Sequence, residues 1–133
     1  MLYICCTFTT YVKPAYSFLE DNIVIRKSGL PVIEYLRLHV PTNLRADWLA
    51  SEKDSWEPWL KTKEGFIERQ LFWNPDKEEA MILISWENRT KWKSIPLEEI
   101  NSIQAKFEEN ARIKTGRISN PFPLIYEGEL LSQ

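Results

Sequence analysis

The side chains best equipped for chemistry lie together on one largely apolar segment, residues 32–40, which contains the only histidine of the sequence. An extended chain points successive side chains to opposite faces, so His39, Arg37 and Tyr35 share one face of a strand. An imidazole can act as a general base near neutral pH, and a guanidinium can hold an anionic oxygen or a carboxylate. His39 and Arg37 are therefore the candidate catalytic residues.

A structural explanation of the same two residues is also open, and the sequence favours it. Arg37 can pair with Glu68 or Glu87 at a subunit contact, and His39 can be a partly exposed residue at the end of its strand. No nucleophile accompanies them in sequence, because Ser85 lies in an apolar run without the glycines of a nucleophile elbow. This pattern argues against a hydrolase triad.

Tryptophan is the main anomaly of the composition, with six residues in 133. Large flat indoles can stack on a planar ligand, and their N–H groups can orient it. The sequence thus offers a set of candidate ligand-binding residues, namely Tyr35, Trp48, Trp56, Trp86 and Trp92. The alternative is that Trp48 and Trp86 are core residues and that Trp92 covers a helix end.

Charge and cysteine usage narrow the functional classes. Seventeen Lys and Arg face nineteen Asp and Glu, giving a net charge of -2 without a block of either sign, so nucleic-acid binding is not favoured. Cys5 and Cys6 are adjacent, which suits neither a disulfide nor, without further ligands, a metal site. We expect a reduced, cytoplasmic protein without a signal peptide or a membrane span.

The elements that must position these residues follow from hydrophobic periodicity. Strands are predicted at residues 32–40, 66–73, 80–87 and 123–131, and helices at 44–60 and 96–113, with a short helical piece at 89–94. Pro58 should kink or stop the first helix near Trp56, and Thr42 or Asn43 can cap its start. The alternation in the second strand groups Ile67 with the apolar positions that follow it. Glu68, Glu87 and Glu127 are taken as surface or interface charges.

The order of these elements predicts the architecture. Strand, helix, strand, strand, helix, strand is the split βαβ pattern of an α+β, ferredoxin-like βαββαβ domain, a four-stranded antiparallel sheet with both helices on one face. The domain spans residues 31–133, after a poorly defined N-terminal arm at 1–30 with possible strands at 2–10 and 22–26. The other sheet face would expose Tyr35, Phe66, Phe72, Met81 and Leu83. A patch of that size predicts a homodimer through the sheet face.

The chain resembles a known superfamily over residues 31–131. The resemblance rests on Glu34-Tyr35-Leu36-Arg37-Leu38, Trp48-Leu49, Trp56, Gly65-Phe66, Ile84-Ser85-Trp86 and Trp92-Lys93-Ser94-Ile95-Pro96. These segments resemble the dimeric α/β-barrel proteins that include the antibiotic biosynthesis monooxygenase-like domains. Within that superfamily, the chain is similar to a small, mostly cyanobacterial family that has no settled activity.

The resemblance implies a dimer of back-to-back sheets in which each protomer keeps a cavity between sheet and helices. Superfamily members oxygenate polycyclic aromatic compounds without a cofactor, degrade haem, isomerise lactones or only bind. Haem degradation would need a histidine on the second helix, which residues 96–113 lack, and His39 is not equivalent to it. The resemblance thus implies a cofactor-free, monooxygenase-like protein with a small aromatic ligand. The alternative is a non-catalytic homodimeric ligand-binding or structural module.

Overall fold

The computed structural model describes residues 30–133 of the chain. The predicted arm, except for Leu30, lies outside the described residues together with its two candidate strands and the Cys5-Cys6 pair. The division into arm and domain therefore stays a prediction. Among residues 30–133, no helix is both long and apolar enough to cross a membrane.

The described chain forms a single antiparallel sheet of four strands with its helices on one face. In chain order the elements are β1 (Val32–His39), a 3₁₀ turn (Thr42–Leu44), α1 (Arg45–Asp54), α2 (Trp56–Leu60), β2 (Phe66–Asn74), β3 (Glu79–Trp86), α3 (Arg89–Lys93), α4 (Leu97–Thr115) and β4 (Leu124–Leu131). The sheet order is β2-β3-β1-β4, with β1 and β3 at its centre. The predicted ferredoxin-like architecture is confirmed, including the edge position of β4.

Strand β1 shows how the sheet divides the molecule. Every second residue is buried, from Val32 through Leu36 to Leu38, whereas the residues between them are partly exposed. Val40 continues the buried series just past the strand. The buried series faces the helices and joins the tryptophans in one core, as the alternation of side chains in a strand requires. Glu34 belongs to this buried series, although it is an acid.

The first helical region is broken where the sequence predicts it. Ser55, with φ −125° and ψ −76°, separates α1 from α2. Pro58 explains the break, since it has no N–H to donate and its ring would clash with the carbonyl of Asp54. The two pieces bury Trp48 and Trp56 against the sheet.

The predicted cap of this region is wrong. Helix α1 begins after Leu44 without a side-chain cap, so neither Thr42 nor Asn43 serves it. The amide and hydroxyl of Thr42 instead donate to Glu78 Oε1, both at 2.8 Å. Glu78 reaches this position from the β2–β3 turn, where its φ is 52°.

A bulge in β2 corrects two further predictions. The pairing of β2 with β3 shifts between Phe66 and Glu68, so Ile67 is the extra residue and is 51% exposed. Phe66 lies on the helix side, where its ring packs edge-on against Trp86 with 5.9 Å between ring centres. The predictions that Ile67 shares the buried face with Leu71, and that Phe66 lies on the opposite face, are both wrong for this reason.

Capping residues mark the start of α3 and both ends of α4. The side chain of Asn88 accepts a hydrogen bond from Lys91 N at 2.8 Å and so caps α3. Pro96 is the N-cap of α4 rather than its first helical residue. Gly116 ends α4 in the left-handed region, at φ 70°, where glycine carries no steric cost.

Candidate functional site

Arg37 and His39 lie on the sheet face that points away from the helices. Arg37 Nε is 3.5 Å from Glu79 Oε2, and Glu79 also faces His39 in the β1–β3 register. The guanidinium carbon of Arg37 lies 5.7 Å from the centre of the Tyr126 ring. Within one chain the ion-pair partner of Arg37 is thus Glu79. Pairing of Arg37 with Glu68 or Glu87 at a subunit contact stays a prediction.

Tyr35 lies beside these residues on the same sheet face. We call the surface formed by Tyr35, Arg37, Tyr126 and Gly128 the tyrosine platform. The two tyrosine rings are 5.7 Å apart between centres. Gly128 faces Tyr35 in the β1–β4 register, and a Cβ atom added to it would lie 2.5 Å from the Tyr126 hydroxyl. The ring of Tyr126 therefore lies across the glycine. The absence of a side chain at Gly128 is what makes this arrangement possible.

The predicted tryptophans lie on the other side of the sheet. Trp48, Trp56, Trp86 and Trp92 are all buried in the layer between sheet and helices. The sheet itself separates them from Arg37 and His39. The structure therefore brings the four tryptophans together in one core, and it does not bring Arg37 or His39 to them. Whether any of these residues contacts a ligand stays a prediction.

An acid that the sequence reasoning missed lies among the tryptophans. Glu34 is only 4% exposed, and its Oε1 accepts a hydrogen bond from Trp86 Nε1 at 3.3 Å. Burial raises the pKa of Glu34 to about 7, since water stabilises a carboxylate better than the interior does. The sequence carried a signal for it. Glu34 has the same parity in β1 as Leu36 and Leu38, so the alternation that buries them buries the acid too.

A second carboxylate lies on the same face of the neighbouring strand. Glu127 faces Leu36 in the β1–β4 register and is therefore a diagonal neighbour of Glu34. Its Oε2 is buried and has no hydrogen-bond partner within the described chain. Burial raises the pKa of Glu127, and the positive charge of Lys93 opposes this rise. Its assignment as a plain surface or interface charge needs correction, because one of its oxygens is inside the protein. Glu34 and Glu127 are called the glutamate pair below.

Helix α3 supplies the basic side chains near the glutamate pair. Lys93 Nζ lies 3.9 Å from the centre of the Trp92 ring. Arg89 Nε is 3.1 Å from Glu129 Oε2, so that third glutamate of the same face is already paired. The region thus combines two indoles, two carboxylates and a nearby ammonium group. These are the components of a site that orients a small polar aromatic molecule.

Another polar cluster lies on the β2 side of the same layer, where Arg69 shares a row of the sheet with Ile84 and Glu34. Arg69 Nη1 contacts Glu52 Oε2 at 2.5 Å, and both side chains are buried. Burial raises the pKa of Glu52, and the charge of Arg69 opposes that rise. The indole N–H of Trp48 is buried without a hydrogen-bond partner within residues 30–133.

A cavity of about 20 Å³ adjoins this cluster, which is room for about one water molecule. Its lining comprises Leu38, Glu52, Trp56, Ile82, Gln104, Phe107, Asn120, Phe122 and Leu124. Leu38 is four residues from Glu34 along β1, so roughly 13 Å separates their Cα atoms at the rise of a strand. Ile82, another residue of the lining, shares a row of the sheet with Leu36 and Glu127.

A more open groove of about 280 Å³ runs along the outer edge of β2 beside α2. It is lined by Glu57, Lys61, Phe66, Ile67, Glu68, Arg69 and Leu71. None of the residues predicted to bind a ligand lines it. Among residues 30–133, no group of three or more His, Cys, Asp or Glu side chains is arranged to hold a metal ion.

No protein-family model and no curated protein matches the chain. Solved structures do. SnoaB, a cofactor-independent oxygenase from Streptomyces nogalater, matches with a TM-score of 0.55 at 12% identity over 77% of this chain and 93% of that one. A conserved protein from Methanosarcina mazei Go1 matches with a TM-score of 0.51 at 14% identity over 82% of this chain and 99% of that one.

A third structure, of a proposed monooxygenase from Shewanella loihica PV-4, matches with a TM-score of 0.51 at 11% identity over 78% of this chain and 95% of that one. At such identities the likeness establishes the fold. The particular closeness to a cyanobacterial family stays a prediction. The superfamily resemblance seen in the sequence is confirmed at the level of the fold. The chain shares the α+β fold of SnoaB and of the proposed Shewanella loihica PV-4 monooxygenase.

Proposed function

We propose that the chain is a homodimeric, monooxygenase-like protein that binds and oxygenates a small aromatic compound on the helix side of its sheet. One observation carries this proposal, the buried Glu34 carboxylate held by the indole of Trp86. Flat indoles provide faces for a planar ligand, and a few well-placed polar groups fix its orientation. The fold neighbour SnoaB is a cofactor-independent oxygenase, which supports a reaction without a cofactor.

We assign the ligand to the end of the core that holds Trp86, Trp92 and Glu34. The cavity beside Trp56 has room for about one water molecule, which favours a packing role for that residue. Trp48 is buried in the same core on helix α1, and we assign it the same role. The ligand-binding set of the proposal is therefore Trp86 and Trp92, with Glu34 as the polar contact.

The proposed dimer uses the opposite face of the sheet. Phe72, Tyr126 and Leu130 are 50%, 48% and 43% exposed on that face, an apolar surface that a second copy would cover. Arg37 and His39 lie among them, which supports a place in the subunit contact rather than at the aromatic ligand. Sedimentation at micromolar concentration should give twice the chain mass, and a monomer would contradict the dimer.

A second candidate function is a homodimeric module that binds or scaffolds without turnover. The observation that favours it is the separation of Arg37 and His39 from the tryptophans by the sheet, because it removes two catalytic candidates from the aromatic side. Both functions share the dimer. They differ in whether bound aromatic compound consumes oxygen.

The function is tested with two small aromatic probes. 2-Naphthol should quench tryptophan fluorescence on binding, and 1,4-dihydroxynaphthalene should consume O₂ faster with the protein than without it. Trp86→Phe and Trp92→Phe should weaken 2-naphthol binding severalfold, whereas Trp59→Phe, a partly exposed indole bound to Glu99 at 2.8 Å, should not. Binding without oxygen uptake would select the module. Equal binding by the Trp86 and Trp59 variants would contradict the proposed site.

We also infer a reducing, cytoplasmic setting for the protein. The adjacent Cys5 and Cys6 support it, since neighbouring residues rarely reach disulfide geometry and cytosolic thiols are kept reduced. Thiol titration of protein purified without reductant, under denaturing conditions, should find two free thiols per chain. A disulfide-linked product would contradict this inference.

A further inference from the structure

We propose that the glutamate pair handles a proton: Glu34 accepts it from the hydroxyl group of a bound ligand, and Glu127 passes it to solvent. This inference rests on the proposed small-molecule function and deepens it. It assigns separate tasks to the two carboxylates, one interior and one at the boundary.

Glu34 has the geometry of an acceptor with capacity to spare. Its side chain is buried, and the hydrogen bond from Trp86 Nε1 to its Oε1 is 3.3 Å long. A carboxylate offers about four lone-pair positions, so one indole N–H leaves room for an O–H donor. A buried carboxylate also gains from becoming neutral, because its charge is poorly solvated. Taking a proton from a ligand is therefore favoured at this position.

Glu127 links this interior position to the surface. It lies on the same sheet face as Glu34, one diagonal step across the β1–β4 pair. Its Oε2 is buried and has no hydrogen-bond partner within the described chain, yet the side chain as a whole is only partly buried. The Glu127 side chain is thus a diagonal neighbour of the buried acid and is also partly open to solvent. That is the arrangement required of a relay.

The surrounding charges keep the two carboxylates coupled. Glu127 raises the pKa of Glu34 further, after the larger effect of burial, whereas Lys93 on α3 lowers it. Glu129 shares the face but is paired with Arg89, and β3 contributes the neutral Trp86. Two carboxylates that repel each other hold one shared proton readily.

The proposed sequence balances in atoms and charge. The ligand O–H bond breaks, its proton joins Glu34, and the ligand keeps the electron pair as an anion. The proton then moves from Glu34 to Glu127 and from Glu127 to water. Both carboxylates return to their starting charge, and no oxidant or reductant takes part in these steps.

The coupling can be measured without any ligand. The Trp86 Nε1–H resonance of ¹⁵N-labelled protein should shift with pH, because its acceptor ionises, with an inflection near pH 7. Glu34→Gln should abolish the inflection, and Glu127→Gln should move it to lower pH. Glu87→Gln, which alters an exposed glutamate paired with Lys91, is the matched control and should leave it in place. Trp86→Phe identifies the signal. An unchanged inflection in the Glu127 variant would overturn the relay.

A matched pair of probes tests the ligand step. 2-Naphthol carries a hydroxyl and 2-methoxynaphthalene does not. Glu34→Gln should therefore weaken the binding of 2-naphthol about tenfold more than the binding of 2-methoxynaphthalene, because one charge-assisted hydrogen bond typically contributes about that much. If neither compound binds the native protein, the proposed function fails and Glu34 loses its proton donor. If both bind and the variant weakens them equally, the function stands and proton acceptance is overturned.

Discussion

Trp86 donates its indole N–H to the carboxylate of Glu34 from the adjacent strand, across a distance of 3.3 Å. The two residues are diagonal neighbours, since Trp86 faces Val32 in the β1–β3 register. Burying an acid costs free energy unless the acid is hydrogen-bonded or neutral. Glu34 is held by a hydrogen bond from an indole. The acid thereby lies at the N–H edge of the indole. The chemistry of the molecule is for this reason proposed on its helix side.

The pH dependence of the free energy of unfolding should reveal the ionisation of Glu34. In the unfolded chain its pKa is near 4.5, and in the folded protein it is about 7. Between these values the folded state holds a proton that the unfolded state has released, so the free energy of unfolding falls as pH rises. The loss is about 3 kcal/mol and is complete above pH 7. Urea unfolding of the native protein at pH 5 and pH 8 measures it.

Glu34→Gln is the control for this effect, because the amide cannot ionise. Between the two pH values the free energy of unfolding should fall less in the variant than in the native protein. The difference between the two losses should be about 3 kcal/mol. Burial also raises the pKa values of Glu52 and Glu127, so the variant keeps a smaller decline of the same sign. Identical slopes in the two proteins would show that Glu34 does not titrate in this range.

The buried ion pair of Arg69 and Glu52 gives a second prediction. Arg69→Met should lower the free energy of unfolding by about 3–5 kcal/mol at pH 8, since it leaves a buried carboxylate without its partner. The double variant Arg69→Met with Glu52→Gln should recover a large part of the loss, because no buried charge remains. Urea unfolding measures both. A double variant as unstable as the single one would show that packing, not charge, dominates here.

Gly128 provides a test of the proposed dimer. Gly128→Ala places a Cβ atom 2.5 Å from the Tyr126 hydroxyl, so the tyrosine ring must leave its place on the platform. We expect at least about tenfold weaker dimerisation in sedimentation, which corresponds to 1.4 kcal/mol, with the fold retained. Gly116→Ala is the matched control. It should destabilise the fold, because its φ is 70°, without altering association.

The cap of α3 should influence the glutamate pair from a distance. Asn88→Ala removes the hydrogen bond to Lys91 N and should cost about 1 kcal/mol of stability. Fraying of α3 would withdraw Lys93, whose charge lowers the pKa of Glu34, so the Trp86 Nε1–H inflection should move to higher pH. Asn88→Ser keeps a capping oxygen and should behave as the native protein. If the inflection stays at the native pH in both variants, Lys93 is held independently of the cap.

Much of the fold follows from local patterns that a sequence displays openly. The alternation in β1 separates Leu36 from Arg37, and Pro58 marks the break between α1 and α2. The bulge at Ile67 is different. One inserted residue moves Phe66, which precedes it in β2, to the other face of the sheet and leaves the apolar run in the sequence unbroken. Sequence alternation alone therefore assigns Phe66 to the wrong side.

The glutamate pair could be predicted only in part from the sequence. Glu34 follows from its parity in β1, whereas Glu127 requires the β1–β4 register, which shifts between Arg37 and Leu38. The contact of Glu52 with Arg69 joins a helix to a strand seventeen residues away, so no sequence spacing predicts it. Side chains that meet only through packing of separate elements need coordinates to be found.

Both outer strands of the sheet carry an irregularity, Ile67 in β2 and the shifted pairing of β4 with β1. A regular free edge offers a row of amide and carbonyl groups on which another chain can add as a new strand. Bulges twist that row out of alignment. Pro121 and Pro123 immediately precede β4 and have no N–H with which to extend its row. The sheet is in this way built to resist edge-to-edge polymerisation, which leaves face-to-face contact as the safe mode of self-association.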